Sequence, residues 1–273
     1  MLKNQIELPG VSNARELGGY PVEGGRVRKG VLLRTGYLGE ASPEAISILQ
    51  DKYKVKTIVD FRMSGEVYKA PNKEVPGAKY VHLPVMEMED YAARIKDPNL
   101  LKEFMSGKLD RGAIFDIAYE NGMLGPEMYE LFLQGDRGKA AYREFFKILL
   151  NTDPDKEAVL WHCKDGKDRT GIGAALILSL LGATRDTIFE DFLLTNEYNA
   201  VVVKAAWEKY SATGMDQDRL DALLFTTGGV IKRYLDYALN VLDKEYGGVE
   251  GYLTGPLGLT KEDLKELREK YTD

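Results

Sequence analysis

Ala158-Val-Leu-Trp-His162-Cys163-Lys164-Asp165-Gly166-Lys167-Asp168-Arg169-Thr170-Gly171 begins apolar, breaks into a polar loop carrying one glycine, and leads into the apolar run Ile172 to Leu181. The first part reads as a buried strand and the last as a helix from Thr170 to about Leu181. A strand–loop–helix of this kind sits where an open α/β sheet presents its ligand crevice. Five residues separate Cys163 from Arg169. That length lets the loop curl until successive backbone N–H groups face one anion, and the helix adds its positive N-terminal end. Gly166 permits the curl, and Gly171 permits close packing behind it.

The side chains on this loop belong to oxyanion chemistry. Arg169 can grip two oxygens of a tetrahedral oxyanion with a planar fork, which a lysine cannot do. Cys163 at the mouth of the nest faces donors, a helix end and a cation, all of which favour the thiolate nucleophile. A thiolate that attacks phosphorus forms a phosphocysteine, which water then hydrolyses. The leaving oxygen needs a proton, and Asp168 is the nearest acid, with Asp165 second. Thr170 is placed to assist the thiolate as it leaves, and His162 to orient the loop. Lys164, Asp165, Gly166, Lys167 and Thr170 form the substrate-binding set.

Blander readings exist for each residue. A lone cysteine is usually a small buried hydrophobe. The histidine before Cys163, the arginine six positions after it and the strand–loop–helix setting turn the balance to catalysis. Lys164 and Lys167 could be solvated loop charges. Two lysines in a short anion nest on an acidic protein favour substrate contact. Asp168 could instead hold the loop through backbone N–H groups. His82 reads as a core residue at a strand end.

Outward from the loop, Val55 to Phe61 and Tyr80 to Val85 read as further buried strands, and Val31 to Arg34 as a strand. Gly19 to Arg28 reads as a hairpin around Glu23-Gly-Gly25. Ser42-Pro43-Glu44 is a helix start, with serine as N-cap and proline at the first helical position. Met86 to Asn151 is mainly helical. Ile231, Tyr234, Leu235, Ala238 and Leu242 recur at helical spacing, and Thr260-Lys-Glu-Asp263 starts a last helix. Strands alternating with helices argue for an α/β sheet flanked by helices, built as a single domain over residues 1–273. The long helical stretches look like cover or lid elements: Met86 to Asn151 and Asn196 to Gly228 could contain a lid over the site, while their mix of Tyr, Phe and Met is more often core.

The totals exclude several classes. The chain has 273 residues, a formal net charge of −6 and one cysteine. An intrachain disulfide and a thiolate-ligated zinc site are ruled out, and two histidines are too few for a histidine-rich metal site. The acidic balance argues against nucleic acid as partner. No stretch reaches the ~18 apolar residues of a membrane span, so stable membrane insertion is not expected. No apolar run of signal-peptide length opens the chain. The expectation is a cytoplasmic protein, with secretion left open.

Competing motifs fail. Asp168 follows Gly166-Lys167 where a nucleotide-binding P-loop needs Ser or Thr. Arsenate-type reduction on such a loop normally needs a resolving thiol, which this chain lacks. No Gly-x-Ser-x-Gly elbow is present.

His162-Cys163-x5-Arg169-Thr170 resembles the signature of the protein tyrosine phosphatase superfamily. The fuller His-Cys-x-x-Gly-Lys-Asp-Arg-Thr-Gly is similar to its bacterial tyrosine/lipid phosphatase group. Asn13-Ala-Arg-Glu-Leu-Gly-Gly19 resembles that group's Asn-Phe-Arg-Asp-Leu-Gly-Gly. Val59-Asp60-Phe61-Arg62 with Glu66 resembles its Asp-Leu-Arg-x-x-x-Glu. The resemblance implies a mostly parallel central sheet of phosphotyrosine-phosphatase type, no cofactor and no metal. It implies a phosphorylated protein or phosphoinositide substrate, with activity on phosphotyrosine and, in some members, phosphoserine/threonine. It also implies Asp168 as general acid, because no Trp-Pro-Asp loop is present, with Asp60 in support. Lys164 and Asp165 depart from the bacterial pattern and resemble lipid-directed phosphatases, so a phosphoinositide or inositol phosphate is the alternative substrate. A silent phosphate-binding module and a rhodanese-type sulfur transferase are the readings of other classes.

Overall fold

The strand before the loop decides the layering. In the computed structural model, which describes residues 2–273, Ala158–His162 (β7) is buried at every position. Successive side chains of a strand point to opposite faces. Val159 and Trp161 accordingly join the larger of two apolar cores, and Ala158 and Leu160 join the smaller. The neighbouring strands divide in the same way. Leu32 of Leu32–Thr35 (β4) and Val59 of Val55–Asp60 (β5) face the larger core, while Leu33, Val55 and Ile58 face the smaller. A sheet covered on both faces is the usual setting of parallel strands.

The five-stranded sheet adds Arg15–Glu16 (β1) at one edge and Lys79–His82 (β6) at the other, in the order β1-β4-β7-β5-β6. Only the β1–β4 pair is antiparallel. The fold is therefore α/β, with a mixed and mostly parallel central sheet flanked by helices. Register aligns Thr35, His162, Asp60 and His82 in one row at the carboxyl ends of the four parallel strands. The loop leaves the sheet beside this row, where open α/β sheets bind ligands.

The larger core is closed by helices Asp168–Leu180, Asp136–Asn151, Glu127–Gln134 and Lys232–Tyr246. Trp161 anchors it, with its indole N–H donating to the Thr170 carbonyl at 3.1 Å and its ring against Phe145. Truncating a side chain of this size to alanine would cost about 3–5 kcal/mol.

Most expected elements are present with shifted ends. The 80–85 strand, expected to be buried, is instead an edge strand with exposed or half-buried residues, and it stops at His82, ahead of Leu83-Pro84, since a proline cannot donate to the ladder. The hairpin shrinks to Pro21–Val22 (β2) paired with Gly25–Arg26 (β3). The Ser42 hydroxyl accepts from the Ala45 N–H at 3.1 Å, capping Pro43–Ser47 as its sequence requires. Thr260 and Asp263 form the reciprocal capping box of the last helix, Lys261–Tyr271. Between Met86 and Asn151 lie five helices: Met88–Ala92, Pro98–Met105, Arg111–Glu120, Glu127–Gln134 and Asp136–Asn151.

Candidate active site

Every carbonyl from Cys163 to Lys167 is tied down by the protein. The Cys163 carbonyl accepts from His162 Nδ1 at 2.9 Å, and that of Lys164 from the Tyr37 N–H at 3.0 Å. Asn13 Nδ2 donates to the carbonyls of Gly166 at 2.8 Å and Asp165 at 3.2 Å. Arg34 Nη2 donates to Gly166 at 2.8 Å and Lys167 at 3.3 Å, and the Gly171 N–H donates to Lys167 at 2.7 Å. In a planar trans peptide the C=O and the following N–H point opposite ways. The N–H groups of Lys164, Asp165, Gly166, Lys167 and Asp168 each point away from a tethered carbonyl, and none has an acceptor among the described residues, so five donors are left to form a cradle. Such a nest binds an anion through fixed dipoles.

Gly166 makes the curl possible. Its φ is +66°, and a Cβ there would stand 2.5 Å from the Thr35 carbonyl group. Gly171 packs where a Cβ would come within 3.0 Å of the Phe192 ring. Both glycines do what the sequence suggests.

Cys163 directly follows β7 at the base of the cradle and is 2% exposed. Arg169 lies in the first turn of the following helix. Its Nη1 and Nη2 are held end-on by Glu66, at 2.6 and 3.1 Å, and Nη1 also reaches the Phe61 carbonyl at 3.4 Å. A guanidinium has five N–H bonds. Glu66 and Phe61 take three, which leaves Nε–H and the second Nη2–H as a side-on fork for two oxygens. Burial works against the Arg169 charge, but Cys163 and Glu66 hold its pKa above the ordinary arginine value. Burial likewise pushes the Glu66 carboxyl up, and Arg169 more than reverses this, leaving it below the ordinary range.

Asp168 opens the helix and is partly exposed. One of its oxygens accepts a hydrogen bond from the Tyr129 hydroxyl. Burial first, and then the Asp168 charge, raise the Tyr129 pKa well above its ordinary value, so this phenol stays a donor. Thr170 is fully buried, and its hydroxyl has no partner among the described residues.

His162 is fully buried, and burial lowers its pKa below 6.5. A carbonyl can only accept, so Nδ1 carries the proton given to Cys163. Nε2 then accepts from Asn72 Nδ2 at 2.9 Å. His162 is a neutral strut under the loop. Asp60 is also fully occupied. It bonds Arg62 through Nε at 3.0 Å and Nη2 at 2.7 Å, and accepts from the Tyr80 hydroxyl at 2.7 Å. Burial raises the Asp60 carboxyl, but His162 and Arg62 outweigh it and keep the group ionised. Its support is structural. The sequence reads His82 as core; it is half-buried and donates from Nε2 to the Arg62 carbonyl at 2.8 Å.

Lys164 and Asp165 are exposed at the mouth. Lys167 departs from expectation. Its side chain is buried, with Nζ donating to the Phe225 carbonyl at 2.8 Å and lying 5.0 Å from the centre of that ring. The same Nζ lies 3.8 Å from Asp168 Oδ2, so its charge bears on the candidate acid and not on the mouth of the site. An ammonium on a long apolar stem finds a carbonyl and an aromatic face more readily than a crowded loop mouth.

Sequence reasoning gave no role to Asn13, Arg15, Arg34, Asp191 or Tyr129. The available signal was charge where burial is expected: Arg34 inside an apolar strand, and Asp191 inside Ile188-Phe-Glu-Asp-Phe-Leu193. Among the described residues, no cluster of His, Cys, Asp and Glu is placed to hold a metal ion.

A cradle of backbone donors, a thiol at its base and a guanidinium fork beside it define the class of cysteine-dependent phosphatases. Residues 6–273 match the tyrosine phosphatase family, and the chain belongs to that family. It is 29% identical over 272 residues to a Cupriavidus necator protein provisionally named as a tyrosine-protein phosphatase, covering 98% of this chain and 89% of that one. It is 26% identical over 279 residues to the triple specificity protein phosphatase PtpB of Mycobacterium tuberculosis, covering 96% and 97%. A tyrosine-protein phosphatase of Nostoc commune is 31% identical over 115 residues, 41% of this chain and 38% of that one.

Proposed function

We propose that this protein hydrolyses phosphomonoesters through a phosphocysteine on Cys163, with phosphotyrosine in proteins as the leading substrate and dual specificity within reach. The observation that carries the reading is the set of tethered carbonyls, Cys163 to Lys167, beside five following N–H groups that have no acceptor among the described residues and are therefore available to an oxyanion.

In the first step the Cys163 thiolate attacks phosphorus, and the S–P bond forms as the P–O bond to the leaving group breaks. The backbone N–H groups and the free Arg169 fork carry the charge on the equatorial oxygens, which is transition-state stabilisation by fixed dipoles. Asp168 gives its proton to the leaving oxygen. Water then attacks phosphorus, Asp168 takes its proton, the S–P bond breaks, and inorganic phosphate departs. The Thr170 hydroxyl is available to hydrogen-bond the leaving thiolate.

Exposed Lys164 favours a second substrate class. An ammonium at the mouth, beside a site already filled by one phosphate, suits a phosphoinositide or inositol phosphate carrying another. The test is inorganic phosphate release, without added metal, from a phosphotyrosine peptide and a soluble phosphatidylinositol phosphate. Turnover lost in Cys163→Ser supports the mechanism, and the ratio of kcat/KM values assigns the class. No turnover on either substrate would favour a silent phosphate-binding module, or sulfur transfer if thiosulfate and cyanide react.

A further inference from the structure

Beneath the loop lies a charged cluster that takes no part in the chemistry described above. Arg15 and Arg34 are fully buried and share one carboxylate, Asp191. Arg15 donates through Nε to Asp191 Oδ1 and through Nη2 to the Asp191 carbonyl, both at 2.9 Å. Arg34 Nη1 donates to Asp191 Oδ2. Arg15 Nη1 also donates to Asn13 Oδ1, which turns the Asn13 amide N–H group toward the loop. Two guanidiniums against one carboxylate leave one buried positive charge uncompensated within the cluster.

That surplus is unusual, because an unpaired buried charge is costly. Burial first, and Arg15 next, push the Arg34 pKa down to about 10, which still leaves it charged at neutral pH. Burial raises the Asp191 carboxyl, but Arg15 and Arg34 hold it below the ordinary range. The other groups facing the cluster are the phenols of Tyr20 and Tyr198, both raised by burial and therefore neutral. The loop turns only the negative ends of its peptide dipoles to this surplus. Arg34 Nη2 reaches the Gly166 and Lys167 carbonyls, and its charge acts on Cys163. Cys163 is otherwise faced by Arg169, and by the phenols of Tyr129 and Tyr142 from the covering helices.

We propose that Arg34, held by Asp191 and seconded by Arg15, is a positioning residue that fixes the loop carbonyls from behind and leaves one positive charge beneath the nucleophile to match its thiolate. The inference rests on the reading of Cys163 as the nucleophile. It calls for no new chemical step.

The test uses two readouts that need no turnover, so its failure is distinguishable from failure of the proposed activity. One is the pH profile of Cys163 alkylation by iodoacetamide. The other is the affinity for inorganic tungstate. Arg34→Gln removes a charge and moves the alkylation midpoint up by about one pH unit, and it weakens tungstate about ten-fold. Asp191→Asn leaves the cluster more positive and moves the midpoint down. Arg34→Lys keeps the midpoint close to that of the unmodified protein but not the tungstate affinity, because an ammonium cannot span the Gly166 carbonyl and Asp191 together. Loss of packing alone would move the first two variants the same way, and that outcome overturns the proposal. An unchanged midpoint in Arg34→Gln overturns it as well. If Arg34→Gln does not fold, the downward shift in Asp191→Asn together with the retained midpoint in Arg34→Lys still decides.

Discussion

Glu66 grips Arg169 end-on through both terminal nitrogens, at 2.6 and 3.1 Å, and so decides which edge of the guanidinium is left for substrate. Glu66 is itself held by the start of its own helix, accepting from the Met63 N–H at 2.9 Å. Glu66→Gln keeps the shape, loses the ionic attraction and presents an N–H to one guanidinium nitrogen. We expect kcat/KM to fall about 10–100-fold, in line with loss of a charge-assisted pair that orients a transition-state donor. Tungstate affinity should fall in parallel, and the midpoint of thermal unfolding should move little. Steady-state kinetics and calorimetry on one preparation check this; an unchanged kcat/KM would mean that the fork orients itself.

Asp168 has one oxygen occupied by the Tyr129 hydroxyl, and the other, 3.8 Å from the Lys167 ammonium, is the one left to serve a leaving group. Asp168→Asn should reduce kcat on phenyl phosphate by about 10²–10⁴-fold, the range for loss of a general acid. It should cost far less on a nitrophenyl phosphate, whose leaving group needs little protonation. Tyr129→Phe should reproduce that difference between substrates at smaller size, because the acid is then present but unaimed. Equal losses on both substrates in Asp168→Asn would reassign Asp168 to holding the loop.

The loop, its flanking strand and helix, and the two-faced strands were legible in the sequence because each is a local pattern. Trp161-His162-Cys163 ends an apolar run, Gly166 marks the curl, and Ser42-Pro43 marks a helix start. What stayed hidden was long-range. Asn13 meets Gly166 across 153 positions, and Arg15 meets Asp191 across 176. Periodicity and spacing carry no information about such pairs. Lys167 shows the opposite difficulty: its position in the loop was plain, but its side chain answers to Phe225 on helix Gln217–Thr226, which no local pattern announces.

Gly166 tests how far the cradle depends on backbone alone. An alanine there would need φ of +66° and would place its Cβ 2.5 Å from the Thr35 carbonyl carbon and oxygen, which are backbone atoms of a central strand. The conformational penalty is about 1–2 kcal/mol, and the overlap adds to it. Gly166→Ala should therefore lose at least ~2 kcal/mol by urea unfolding and should no longer bind tungstate measurably. Asp165→Ala, on the exposed neighbour, should leave stability within about 0.5 kcal/mol. If Gly166→Ala binds tungstate as the unmodified protein does, the five-donor arrangement is not what holds the anion.

His162 ties the site to stability through pH. Its folded pKa is lowered below 6.5 because burial opposes the imidazolium, and both ring nitrogens are already committed to Cys163 and Asn72. The unfolded chain takes up a proton near pH 6.5 that the folded chain refuses, so below that pH the unfolded state binds more protons. Stability is then fully present above about 6.5 and declines as pH falls toward the folded pKa. The carboxyls of Asp60, Glu66 and Asp191, all lowered below their ordinary range, are lost only at more acid pH. Urea unfolding at pH 7.5 and 5.5 should therefore show a fall in the unmodified protein that His162→Asn largely lacks, even though that variant starts lower for want of the two hydrogen bonds. An equal fall in both proteins would place the titration elsewhere and leave His162 as a strut without a role in acid sensitivity.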